Sequence, residues 1–170
     1  GDPLVATTHT SLILEARKNN IKTKIIHNSS ILSAIAETGL HIYKFGPTVT
    51  IPFLEKTKNQ LPESVYKMIK ENKSRGLHTL CLLDVDSENR NYMSPNEGLK
   101  LILKMEEKFR EKIVDENTKV VVFSEAGKNL GKIFYGNIKN ALNREFATPA
   151  IVIFVGNLHF SESEFLNLYI

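Results

Sequence analysis

The sequence lacks the residues on which several classes of protein depend. Among its 170 residues there is no tryptophan, a single cysteine and only 8% aromatic residues. One cysteine cannot form an intramolecular disulfide, which excludes the disulfide frameworks of small secreted domains. The apolar runs stop well short of the ~20 residues that a membrane-spanning helix requires, and no apolar leader opens the chain. We therefore expect a cytoplasmic protein without a membrane-spanning segment.

Charge of one sign is not in excess either. The 22 basic and 19 acidic residues give a formal net charge of +3, and they are interleaved rather than clustered. Dedicated nucleic-acid binding requires a more concentrated basic surface, so we do not expect it. With 42% hydrophobic and 24% charged residues, the composition is typical of a globular protein with one sizeable core and room for a smaller lobe.

The common catalytic and metal-binding motifs are missing as well. The five histidines are scattered without cysteine partners or a His-Glu-x-x-His spacing, so we expect no metal site. There is no Gly-x-Ser-x-Gly elbow, and Gly127-Lys128 lacks the flanking residues of a phosphate-binding loop. Cys81 lies in an apolar run, which favours a buried thiol over a reactive one. The motifs support neither a hydrolase nor a kinase and identify no catalytic residue.

Apolar patterns typical of helices and of strands alternate along the chain, which predicts an α/β fold. The runs 120–123 and 151–154 show no polar alternation, so we expect both to be central strands covered on both faces. The predicted strands cover residues 21–27, 48–51, 77–83, 119–124, 132–135 and 150–155. The predicted helices cover residues 8–20, 31–36, 63–75, 95–113 and 138–142.

Capping signals mark the ends of several predicted elements. Residues 94–97, Ser-Pro-Asn-Glu, form a capping box with proline in the first helical position. Ser161 with Glu164 is a second predicted box near the C-terminus. Gly76 is the predicted C-terminal cap of the helix at residues 63–75. The step at residues 46–47, Gly-Pro, is the best candidate for a domain boundary.

The first ten residues combine a turn with a helix start. Gly1, Asp2 and Pro3 suit a tight turn, in which Asp2 can accept hydrogen bonds from turn amides or from a ligand. The threonines at positions 7, 8 and 10 are candidate N-caps for the helix that follows. From these residues alone, an ordinary turn with a cap is the simpler interpretation.

The whole string 1–10 nevertheless resembles a segment of the diphthine synthase family, S-adenosylmethionine-dependent methyltransferases with the tetrapyrrole-methylase fold. Further strings resemble that family in the same order, so the resemblance spans nearly the whole chain. These strings are residues 27–34, 39–46, 76–84, 92–97, 125–127 and 156–159. The family begins with a lobe that carries a glycine-containing strand-to-helix loop, and no such loop stands ahead of Gly1. We therefore expect the later part of a longer protein, inactive by itself.

The resemblance implies a tetrapyrrole-methylase-like fold, with a mixed sheet flanked by helices. Residues 1–45 would be the C-terminal part of a first, cofactor-binding α/β lobe, and residues 46–170 a second lobe. The implied reaction is methylation of the amino group of a modified histidine on translation elongation factor 2, in diphthamide biosynthesis. The implied donor is S-adenosylmethionine, with S-adenosylhomocysteine as product, and the implied assembly is a homodimer. Two alternatives stay open: a methyltransferase of the same fold acting on a tetrapyrrole or ribosomal RNA, or a non-catalytic fragment that dimerises.

By the same resemblance, seven residues would surround the cofactor, mostly through main-chain contacts. They are Asp2, Val5, Ser30, Ile31, Leu83, Ala126 and Ala150. Without the resemblance, the small and apolar members are typical of any α/β core, and only Asp2 and Ser30 are polar residues beside turns.

Two further groups near the expected cleft have open interpretations. Tyr43, Phe45 and Tyr92 would flank it, where their rings could receive a quaternary ammonium product or pack the interface between lobes. Asp84 ends a strand, where it could accept a proton from an amine or cap the next loop.

Overall fold

The computed structural model describes residues 1–5, 8–128 and 131–169 of the chain. The helices are α1 (Thr8–Lys18), α2 (Ile31–Ala34), α3 (Glu63–Ser74), α4 (Pro95–Phe109), α5 (Ile138–Leu142) and α6 (Phe160–Leu166). The strands are β1 (Val49–Ile51), β2 (Thr79–Leu83), β3 (Val85–Asp86), β4 (Asn91–Tyr92), β5 (Lys119–Ser124), β6 (Lys132–Asn137) and β7 (Ala150–Phe154).

Five of the strands form one sheet in the order β1-β2-β7-β5-β6. β1 is parallel to β2, whereas the other neighbours are antiparallel. The centre belongs to β7, in which Val152 and Ile153 are fully buried. The α/β class, the mixed sheet and the central position of β7 are therefore confirmed. The small hairpin of β3 and β4 is an addition that the sequence pattern does not predict.

Both faces of the sheet are covered, which explains why its inner strands lack polar alternation. Val120 and Val122 of β5 belong to a core shared with α3, α4 and α5. Their neighbours Val121 and Phe123 point to the opposite face, into a core shared with α2 and α6. The inner residues 120–123 of β5 are therefore all apolar, because both faces of the sheet exclude water.

Helix α4 begins as the sequence predicts but ends earlier. Ser94 Oγ accepts the N–H of Glu97 at 3.2 Å, and the Glu97 carboxylate accepts the N–H of Ser94 at 2.7 Å, with Pro95 in the first helical position. The helix stops at Phe109 instead of residue 113, because Arg110 adopts a left-handed conformation with φ of +55°.

The predicted strand at residues 21–27 is wrong. The segment joins no sheet of the described chain, and its Ile21 and Ile26 side chains are 60% and 75% exposed. Its β-branched residues satisfy the local strand pattern, but a strand also needs a neighbour that pairs with its backbone. The described sheet ends at β1 and β6, and neither of them provides that neighbour.

The predicted cap residues of α1 and α6 also need correction. The cap of α6 is His159, and Glu162 closes the box, so the box lies two residues earlier than Ser161 and Glu164. An imidazole nitrogen accepts the capping N–H here in place of the usual hydroxyl. In α1, Thr10 lies inside the helix rather than at its cap, and Thr7 lies outside the described residues.

The carboxylate of Glu162 also connects α6 to the end of the sheet at which β2 begins. Although fully buried, it accepts the backbone N–H of His41 at 2.8 Å and that of His159 at 2.7 Å, and it pairs with the ammonium of Lys44. His78 Nε2 lies 3.2 Å from the same carboxylate. Burial alone would raise the pKa of Glu162, but these partners together hold it at about 2.

The tautomer of His78 follows from its second hydrogen bond. Its Nδ1 accepts the backbone N–H of Gly156 at 2.9 Å, so the hydrogen is on Nε2 and points at Glu162. Burial lowers the pKa of His78 and favours this neutral form. The imidazole therefore satisfies both of its nitrogens inside the core.

Candidate functional site

A cavity of about 490 Å³ opens at one end of the sheet. Because β2 and β7 are antiparallel neighbours, the last residues of β2 meet the first residues of β7 there. Leu82 and Leu83 line the cavity from β2, and Ala150 and Ile151 line it from β7. The remaining lining residues are Gly1, Ser29, Ser30, Ile31, Ala34, Phe123, Ala126, Gly127 and Pro149.

The lining is apolar and carries no ionisable side chain among the residues that the structure describes. Its polar side chains are the hydroxyls of Ser29 and Ser30. Small-molecule sites commonly measure ~300–1,000 Å³ and combine apolar walls with a few polar groups, and this cavity has that character. It suits a ligand that is held by shape, by main-chain groups and by one or two hydroxyls.

Ser30 is positioned by the start of α2. As the N-cap residue, its Oγ accepts the backbone N–H of Leu32 at 3.1 Å. This bond uses the oxygen as an acceptor, so the hydroxyl hydrogen remains for a donor role. Ile31 follows as the first helical residue, and it lines the cavity beside Ser30.

Asp2 acts as a clamp beside the cavity. Its carboxylate accepts the N–H of Leu4 at 3.0 Å and that of Asn28 at 3.2 Å, and it lies 2.7 Å from Nδ1 of His27. The bond from Leu4, followed by that from His27, lowers the pKa of Asp2. Its own N–H donates to Ser29 O at 3.0 Å. These bonds join the first turn to the loop that precedes α2.

The structure brings five of the seven expected cofactor residues together around this cavity. Ser30, Ile31, Leu83, Ala126 and Ala150 all line it. The two others, at positions 2 and 5, are not among the lining residues, and Val5 is 41% exposed. Asp2 instead holds the lining residues of its own turn and of the neighbouring loop in place.

Asp84 follows Leu83, just outside the cavity, and serves as a structural anchor. Its carboxylate accepts the Phe53 N–H at 2.9 Å, the Val85 N–H at 2.8 Å and the Lys56 ammonium at 2.8 Å. Burial alone would raise the pKa of Asp84, but the bonds from Lys56 and the two amides outweigh it and lower the pKa. A carboxylate that accepts a catalytic proton needs a raised pKa, so this geometry favours the capping interpretation.

The aromatic residues expected to flank the cleft are not in its lining. Phe45 packs against the His78 ring, with ring centroids 5.3 Å apart, and the Tyr43 side chain is 82% exposed. Tyr92 is 41% exposed on β4. The aromatic side chain that does line the cavity is that of Phe123, at the end of β5.

Phe123 and Gly127 are lining residues that the sequence reasoning missed. Gly127 has a φ of +81°, and a Cβ at this position would meet no atom within 4 Å, so the loop leaves open space beside the cavity. β5 and β2 run in the same direction, because both are antiparallel to β7. Ligands in α/β proteins bind beyond the carboxyl ends of strands, and this rule is the signal that could have found both residues.

The remaining sequence expectations concern buried and metal-binding groups. Cys81 is fully buried, and burial raises the pKa of its thiol. Within the described ranges, no three His, Cys, Asp or Glu side chains are grouped so that they could hold a metal ion. None of the described helices combines the length and apolarity needed to cross a membrane.

Comparison with known proteins shows the family. Residues 1–142 match the model of the tetrapyrrole (corrin/porphyrin) methylases, and the chain belongs to this family. It is 50% identical over 167 residues to a diphthine synthase of Methanococcus vannielii and 48% identical over 169 residues to one of Methanocaldococcus jannaschii. Each alignment covers 98% of this chain and 65% of the relative. The resemblance seen in the sequence is thereby confirmed.

Solved structures agree with the sequence relatives. A crystal structure of an Entamoeba histolytica protein described as a diphthine synthase superposes with a TM-score of 0.91 at 32% identity, covering 99% of this chain and 68% of that one. A second diphthine synthase crystal structure gives a TM-score of 0.85 at 28% identity, covering 99% and 62%. The chain thus spans about two thirds of the length of these proteins.

Proposed function

We propose that this chain is part of an S-adenosylmethionine-dependent methyltransferase that methylates the amino group of a modified histidine on translation elongation factor 2. The observation that carries the proposal is the uncharged cavity at the carboxyl ends of β2 and β5. It supplies a site for a neutral adenosyl group in a chain that is 50% identical to a diphthine synthase.

The cavity fits the methyl donor in size and in chemistry. Its volume of about 490 Å³ lies within the usual range for small-molecule sites. Leu83, Ala126 and Ala150 offer small or apolar walls for the adenine and ribose, while Ser30 offers a hydroxyl. A carboxylate in the lining would stabilise a sulfonium and so oppose its reaction, and no described lining residue carries one.

The bound donor would supply a methyl group on a positively charged sulfur. The contribution of the chain is to hold the reacting atoms close and to exclude water, a proximity effect that can lower a barrier by ~7–11 kcal/mol. Since the described lining has no ionisable side chain, no base in it takes the proton of the amine.

Three finer parts of the proposal follow the same resemblance. Residues 1–45 belong to a cofactor lobe and residues 46–170 to a second lobe. Of the seven residues named above, Ser30, Ile31, Leu83, Ala126 and Ala150 are the proposed cofactor contacts, and Asp2 supports them through its turn. The protein acts as a homodimer in the cytoplasm. The fully buried thiol of Cys81 suits a reducing compartment.

Methyl transfer by the complete protein that contains this chain tests the function. Elongation factor 2 carrying the unmethylated modified histidine should acquire label from methyl-labelled S-adenosylmethionine. The same factor with an unmodified histidine is the matched control, and it should stay unlabelled. Label on a tetrapyrrole or on ribosomal RNA instead, or on none of these, would contradict the proposal.

A further inference from the structure

A second concavity, the α4 groove, lies beside the cofactor cavity. It has a volume of about 250 Å³ and lies between the turn after β1 and helix α4. Its lining residues are Phe53, Leu54, Glu55, Met93, Glu97, Lys100, Leu101 and Lys104. The floor is apolar, with Met93 only 4% and Leu101 only 6% exposed.

The α4 groove and the cofactor cavity share a structural anchor. Leu83 lines the cavity, and the next residue is Asp84. The Asp84 carboxylate accepts the N–H of Phe53 at 2.9 Å, and its backbone oxygen accepts the N–H of Met93 at 3.0 Å. Phe53 and Met93 of the groove are therefore both hydrogen-bonded to Asp84, the residue that follows the cavity-lining Leu83. The groove is therefore connected to the end of β2 at which the cavity opens.

The charges of the groove are unevenly divided between its two walls. Lys100 and Lys104 are exposed one turn apart on α4, and neither has an ion-pair partner within the described parts of the chain. Glu97 is committed to the capping box, where its carboxylate accepts the hydroxyl of Ser94 at 2.7 Å. Glu55 lies across the groove, on the turn after β1. The α4 wall therefore carries two cations without an ion-pair partner and one carboxylate that is held in the capping box at its N-terminal end, so the wall is positive at Lys100 and Lys104.

We propose that the α4 groove binds the protein substrate, as an extended segment that places an apolar side chain on the floor and an acidic side chain against Lys100 and Lys104. This inference rests on the proposed function, because only a macromolecular methyl acceptor needs a surface beyond the cavity. Charge complementarity selects an acidic neighbour on the α4 side, and Glu55 repels it from the other wall. Binding at a remote surface positions the acceptor without contributing a reacting group.

The test uses the complete protein and elongation factor 2 carrying the unmethylated modified histidine. The dissociation constant is measured without cofactor, and methyl transfer is measured separately. We expect the double variant Lys100→Glu, Lys104→Glu to weaken binding and to raise KM at least tenfold, with kcat and S-adenosylmethionine affinity unchanged. Lys100→Arg, Lys104→Arg should retain the wild-type values. Lys139→Glu, an exposed charge reversal on α5, is the matched control.

Each alternative outcome is distinct. If wild-type protein binds the factor and the double Glu variant binds equally well, or if the wild type does not bind, the groove assignment is overturned. Binding that depends on both lysines without any methyl transfer would support the groove and refute the proposed function. A change in oligomeric state on sedimentation, with substrate affinity unaltered, would assign the groove to a second copy. That result overturns substrate docking.

Discussion

Replacing Glu162 with glutamine should reveal how strongly one buried carboxylate stabilises this fold. The side chain is fully buried, and its pKa falls from 4.5 to about 2 through its partners. At ~1.36 kcal/mol for each pKa unit, this lowering of the Glu162 pKa corresponds to roughly 3 kcal/mol of folding free energy. Breaking a buried ion pair costs ~3–5 kcal/mol by direct comparison in other proteins. We therefore expect Glu162→Gln to lower the free energy of unfolding by about 3 kcal/mol at pH 7.

The dependence on pH has a defined sign. Because the folded-state pKa of Glu162 is depressed, its stabilisation is complete above about pH 4.5 and is lost as the pH falls toward 2. The difference between wild type and Glu162→Gln should therefore shrink as the pH falls below 4.5. His78 faces the same carboxylate, which raises the pKa of the imidazole against the larger lowering by burial, so the titration of His78 also differs between the two proteins.

Urea denaturation followed by circular dichroism, at pH 7, 5 and 2.5, measures these differences. Glu164→Gln is the matched control, since it makes the same change at an exposed position of the same helix. It should alter stability by less than ~0.5 kcal/mol, as surface substitutions usually do. A loss below ~1 kcal/mol for Glu162→Gln at pH 7, or a loss that stays constant down to pH 2.5, would refute the reasoning.

Three further predictions concern the sheet and the cavity. Ile153→Asp should cost more than ~4 kcal/mol, because it places an unpaired charge in the fully buried central strand; a variant that melts within a few degrees of the parent would contradict this. Ala126→Leu should fill part of the cavity and weaken S-adenosylmethionine binding in calorimetry of the complete protein, with an unchanged melting temperature; equal affinity would remove Ala126 from the site. Asp2→Ala should weaken the same affinity about tenfold by loosening the Gly1 and Ser29 walls, whereas unchanged affinity in a folded variant would separate this clamp from the site.

The central strands could be predicted because their signal is local. Strand β7 is apolar at every position and β5 is apolar from residue 120 to 123, and burial on both faces produces that pattern directly. Residues 21–27 carry a similar local signal but have no paired neighbour, and pairing is not encoded in one segment. The long-range contacts of the Glu162 carboxylate are equally hidden in the sequence, because Lys44 and His78 are 118 and 84 residues away along the chain. Contacts over such separations have no local pattern.

The site was predictable to a similar extent and for a similar reason. Leu83 and Ala150 stand at strand ends, and strand ends can be located from the sequence. The role of Asp2 as a clamp could not be located in this way, because it depends on a loop 25 residues along the chain. Phe123 is typical of a core residue, and only the direction of β5 in the sheet places it at the cavity.

Four of the strings that resemble the diphthine synthase family form two separate groups in space. Residues 27–34 and 125–127 lie at the cavity, whereas 39–46 and 156–159 meet around Glu162 at the opposite end of β2. The five residues of β2 separate the two ends by roughly 17 Å, at ~3.4 Å per residue. The second group therefore belongs to a hydrogen-bond network that stabilises the fold. Of the two groups, only the first contributes lining residues to the cavity. A relative could retain the Glu162 network and still lose cofactor binding, so the functional argument has to depend on the residues at the cavity.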